Sequence, residues 1–117
     1  MKEFAFIYRN EYKDLSQANK EQAAAMMQRW VDWFNDMNNS GQLVSHGSRL
    51  EPAAGKVARP GSVVTNGPYA EIKESIGGFS VVRAASLDEA VKLAQSCPVL
   101  ASGGNVEVRE IIPMNTL

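Results

Sequence analysis

The chain is poor in the residues from which metal and redox sites are built. It has one cysteine, Cys97, and one histidine, His46, in 117 residues. One cysteine forms no internal disulfide, and one Cys with one His falls short of the three or four ligands of a protein zinc site. No metal or cofactor is therefore expected. Charge of one sign is also lacking: the formal net charge is −1, and the Lys and Arg residues are scattered. Without a basic block there is no field to gather nucleic acid or an anionic membrane. No apolar run is long enough for a membrane span, and no charged-then-apolar leader precedes the first strand, so a cytoplasmic location is the expectation. No phosphate-cradling glycine loop, dinucleotide fingerprint or Gly-x-Ser-x-Gly elbow occurs.

What is present reads as one ordinary domain over residues 1–117, with 44% hydrophobic and 21% charged residues. Residues 2–9 predict a strand with Phe4, Phe6 and Tyr8 on one face and Ala5 and Ile7 on the other. Both faces are apolar, so something must cover each of them. Ser16 is placed to cap a long helix reaching about residue 38, with Met27, Trp30, Val31, Phe34 and Met37 as its inward stripe. Residues 43–50 (LVSHGSRL) predict a second strand, in which regular alternation groups Val44, His46 and Ser48. Residues 57–59 and 62–65, joined through Pro60-Gly61, predict a small hairpin. A strand over 78–84 follows.

Ser86-Leu87-Asp88-Glu89 is a capping box for a second helix, buried through Leu87, Ala90, Val91 and Ala94 and stopped by Pro98. Residues 105–112 close the chain as an alternating strand. Two β-α-β units with right-handed crossovers make a ferredoxin-like βαββαβ α+β sandwich with a hairpin insertion. Both helices then lie on one face of a four-stranded sheet. The apolar second face predicts an isologous homodimer, sheet against sheet.

The segment VTNGPYAEIKESIGGFSVVRAASLDEAVKLAQSCP carries a longer pattern. Through Gly67, Pro68, Ala70, Glu71, Lys73, Glu74, Gly78, Phe79, Asp88, Glu89, Ala90, Cys97 and Pro98, and through Glu107 and Arg109 near the end, it resembles the YCII-related, or DGPF, domain family. That resemblance implies a dimeric α+β barrel and says little about reaction. Relatives in the wider barrel group are lyases, isomerases, dehydrochlorinases or monooxygenases acting on small organic molecules. A His–Asp pair has been suggested as a catalytic centre for the family. Here the aspartate that gives the motif its name is Asn66 and the aromatic position is Tyr69. Asparagine neither takes a proton at neutral pH nor holds an imidazolium by charge.

Three functions follow from these readings. The first is small-molecule binding in a dimeric barrel, with Asn66, Tyr69 and Lys73 as ligand contacts. The second is a lyase or isomerase in which His46 or Glu71 moves a proton. The third is a non-catalytic dimerisation or regulatory module. Each candidate also has a bland reading: a structural turn at Asn66-Gly67, a solvated charge cluster at Glu71 and Lys73, and a hydrogen-bonded strand histidine at His46. Cys97, at a helix end, reads as a small buried apolar residue. The strand residues Arg49, Arg83 and Arg109 read as partners for Glu107 or for an anionic ligand.

Overall fold

The computed structural model describes residues 1–11, 19–51, 54–66 and 74–116. Ser16, Tyr69, Glu71 and Lys73 lie outside these residues. The elements run β1 (Lys2–Glu11), α1 (Lys20–Asn39), β2 (Leu43–Arg49), β3 (Lys56–Arg59), β4 (Val63–Asn66), β5 (Glu74–Ala84), α2 (Leu87–Ala94) and β6 (Asn105–Glu110). Four strands form one antiparallel sheet in the order β2-β5-β1-β6, and β3 pairs with β4 alone. With α1 and α2 this is the ferredoxin-like α+β fold.

Register explains which residues meet the helices. Phe4, Phe6 and Tyr8 stand opposite Val82, Ser80 and Gly78 on β5, and opposite Glu110, Val108 and Val106 on β6. Phe4, Phe6 and Val82 are fully buried under Trp33 and Met37 of α1 and Ala90 and Ala94 of α2. Burying each large apolar side chain contributes about 1.5–3 kcal/mol, so this layer carries most of the driving force. Ala5 and Ile7 face the other way with Val81 and Phe79. Among the described residues no helix covers that side, and Phe79 keeps 42% of its surface exposed.

The helices depart from the expected stripes. Asn19 caps α1, its side chain accepting from the Glu21 and Gln22 amides; the helix therefore starts beyond the expected cap at Ser16. Its inward side is Trp30, Trp33, Phe34 and Met37, while Met27 and Val31 are exposed. In α2 only Ala90 and Ala94 are buried, and Leu87 and Val91 are exposed. Small alanines let the backbone approach the sheet, so the β-carbons on either side of that line point past it. The capping box forms as read: Ser86 Oγ accepts from Glu89 N at 3.2 Å, and Glu89 Oε2 accepts from Ala85 N.

The second strand is not regular. Its pairing with β5 slips between Leu43 and Ser45 and again between Ser45 and Ser48. Each slip is a bulge, which resets the side-chain alternation. The expected grouping of Val44, His46 and Ser48 therefore fails. Ser45 and Ser48 pair opposite Val81 and Phe79 on the uncovered face, whereas the His46 ring lies against Phe34 of α1.

The β3–β4 hairpin turns through Gly61 and Ser62, both at positive φ, and leaves Val63 and Val64 about half exposed. A two-stranded ribbon is marginal without support. The Cα radius of gyration is 16.0 Å, against about 13 Å for a compact domain of this length.

Candidate functional site

The residues that sequence reasoning joined are placed in two regions. Asn66 ends β4, exposed, opposite Lys56. His46 is exposed on β2, beneath α1. The structure does not bring Asn66 and His46 into contact, and Tyr69, Glu71 and Lys73 lie outside the described residues. β5 begins at Glu74, opposite Glu11, and its pairing with β1 continues through Ser75 opposite Asn10 and Ile76 opposite Arg9 before the register shifts between Arg9 and Tyr8.

Around His46 the packing is aromatic. Its imidazole meets Phe34 edge-on, with ring centroids 5.1 Å apart. Phe34 in turn touches Trp30 at 5.8 Å, and Trp30 meets Tyr8 edge-to-face at 5.0 Å. Trp30 and Phe34 are half-buried, so this ridge presents apolar ring surface beside an exposed imidazole. Among the described residues neither ring nitrogen of His46 has a hydrogen-bond partner.

A buried hydroxyl pair holds the strand in this shape. Tyr8 Oη donates to Ser80 Oγ at 2.9 Å, and Ser80 Oγ donates to the His46 carbonyl at 2.7 Å. Ser80 is fully buried, so its hydroxyl satisfies the carbonyl that the bulge takes out of the regular ladder. Burial pushes the Tyr8 phenol well above its ordinary range, against the opposing effect of the Ser80 bond. Tyr8 is thus a neutral hydrogen-bond donor, not an acid. Cys97 is likewise buried, its thiol pushed up to about 12, which leaves no thiolate for nucleophilic chemistry near neutral pH.

Two further features were missed by the sequence. A groove of about 430 Å³ runs between α1 and α2, over Trp33, Met37, Leu93 and Pro98, with Arg29, Asp32 and Asp36 along it. No predicted site residue borders it. Arg9 was passed over altogether, although it joins Glu107 and Arg109 in one ion network on the uncovered sheet face. Continued alternation along β1 puts Arg9 on the face of Ile7, which is the signal that could have found it.

The family model of the YCII-related domain matches residues 1–115. The chain belongs to the YCII-related domain family. The ferredoxin-like α+β fold read from the sequence is the fold observed in this chain, with the Ser-Leu-Asp-Glu-Ala run capping and opening α2. No curated protein matches this YCII-related chain in sequence. Among the described residues no helix is long and apolar enough to cross a membrane.

Proposed function

We propose that this YCII-related protein is a single functional domain over residues 1–117 that binds a small organic molecule and works as a homodimer. The observation that carries the binding site is the exposed His46 imidazole, unpartnered among the described residues, on the edge of the Trp30–Phe34 ridge. An apolar platform beside one orienting polar group is the usual make-up of a small-molecule site. Asn66, Tyr69 and Lys73 are assigned as further ligand contacts from the signature segment. The homodimer reading is supported by the apolar Ala5, Ile7, Phe79 and Val81 on the uncovered face and by the unsupported hairpin. A cytoplasmic location completes the reading.

A second reading, proton transfer of the lyase or isomerase type by His46 with Glu71, is favoured by one observation. That observation is an exposed imidazole, without a hydrogen-bond partner among the described residues, positioned to meet a ligand on the aromatic ridge. Binding is tested by the emission of the two tryptophans, Trp30 and Trp33, during titration with catechol and phenylpyruvate. The expected result is a saturable change with either probe. It is weakened about tenfold in His46→Ala, as for loss of one good hydrogen bond, and abolished as a signal in Trp30→Phe. Emission that does not saturate, or an affinity unchanged in His46→Ala, contradicts the site.

A further inference from the structure

On the sheet face away from His46, β1 and β6 assemble a cationic cluster. Glu107 Oε1 accepts from Arg9 Nε at 3.2 Å and lies 3.2 Å from Arg9 Nη2; Glu107 Oε2 accepts from Arg109 Nη1 at 3.2 Å. Two guanidiniums thus share a single carboxylate. The Arg109 and Arg9 hydrogen bonds hold the Glu107 carboxyl below the usual carboxylate range, so it is ionised at neutral pH and the trio carries a net +1. Both Glu107 oxygens are engaged, yet each arginine has five N–H donors in a planar fork. Among the described residues most of those donors have no protein acceptor.

The neighbourhood defines the class of ligand. Ile7 stands directly opposite Glu107 and Ala5 opposite Arg109, and Phe79 is the next residue across from Ile7 on β5. The guanidiniums therefore border an apolar strip whose aromatic member is exposed. Arg9 is the better buried of the two, at 24% exposure against 70% for Arg109. It would anchor a bound group while Arg109 closes over it. A monoanion balances the surplus charge, a planar carboxylate matches the guanidinium fork, and an apolar body matches Ile7 and Phe79.

We infer that Arg9 and Arg109, held apart by Glu107, bind an organic monocarboxylate whose apolar body lies on Ile7 and Phe79. In the sheet-to-sheet homodimer this face turns away from water. A surplus positive charge there needs a counter-anion more, because a partly desolvated charge without a partner is costly. Glu107 is then an internal competitor that keeps the two arginines aligned and limits affinity.

Backbone-amide NMR of the full-length chain at low salt tests the inference with benzoate, its neutral analogue benzamide, and sulfate. The expected result is saturable shifts at Ile7, Arg9, Val108 and Arg109 with benzoate and none there with benzamide. Sulfate is expected to compete only weakly. Arg109→Gln should weaken benzoate about tenfold, the loss of one charge-assisted hydrogen bond. Glu107→Gln should tighten it, a gain that misfolding does not mimic. Equal shifts with benzamide, complete displacement by equimolar sulfate, or unchanged affinity in both variants overturns the inference. These amides lie across the sheet from His46, so the result is read separately from binding at the aromatic ridge.

Discussion

Gly47→Ala is expected to lower stability by about 3–4 kcal/mol, the upper range for a substitution that adds both strain and a backbone clash. Gly47 has φ +69°, and a β-carbon placed on it would lie 1.8 Å from the Phe79 carbonyl oxygen. That neighbour is main chain in the central sheet and has no rotamer by which to yield. The bulge must open, which breaks the Ser80 bond to the His46 carbonyl and carries the imidazole away from Phe34. Gly41→Ala supplies the comparison. Its φ is +77°, but nothing lies within 4 Å of the added carbon, so only the left-handed backbone penalty of about 1–2 kcal/mol applies. Urea unfolding of the two variants separates the clash from the strain; equal losses would show that the bulge is not held by close packing.

Trp33→Ala is expected to cost about 3–5 kcal/mol, as for other buried tryptophans. Trp33 stacks on Phe6 at 6.1 Å and meets Tyr8, Trp30 and Phe34. Its indole N–H donates to Ser96 Oγ at 2.9 Å, which ties α1 to the end of α2. Removing it opens a cavity where both helices and the sheet meet. Trp33→Phe keeps the ring in the layer and loses the hydrogen bond, so its cost should be closer to 1–2 kcal/mol. At roughly 4 °C per kcal/mol for a domain of this size, the alanine variant should melt at least about 12 °C lower. A loss equal to that of Trp33→Phe would mean that the ring layer contributes little.

Much of this architecture was legible in the residues. Phe4, Phe6 and Tyr8 alternate with Ala5 and Ile7 because β1 is regular through Tyr8, and local alternation survives in a central strand. The Ser86–Glu89 box is local too, and it forms where it was read. The failures have one physical origin, which is that tertiary contacts overrode local pattern. The bulges in β2 exist because Ser80, on another strand, supplies a hydroxyl to the His46 carbonyl, and no period within LVSHGSRL announces that bond. Met27 and Val31 resemble their buried neighbours in composition, but α1 meets the sheet through Trp30, Trp33, Phe34 and Met37 and leaves them outside. The Arg9–Glu107 pair spans 98 positions in the chain, so only the pairing of β1 with β6 reveals it.

The candidate site was legible to a smaller degree. His46 was singled out for its chemistry, whereas its surroundings of Phe34, Trp30, Tyr8 and Ser80 come from three separate elements. Asn66 was singled out for its place in the signature segment, and the structure adds its exposed position at the end of β4.

The central claim is that the uncovered face of the sheet is an interface between two copies, and light scattering at tens of micromolar tests it most directly. The account predicts a particle of twice the 12.8 kDa chain mass. It also predicts that Phe79→Lys, a charge placed among Ile7, Ala5 and Val81, returns the protein to a folded monomer with unchanged helical content. A wild-type chain that scatters as a 12.8 kDa monomer throughout that range would contradict it.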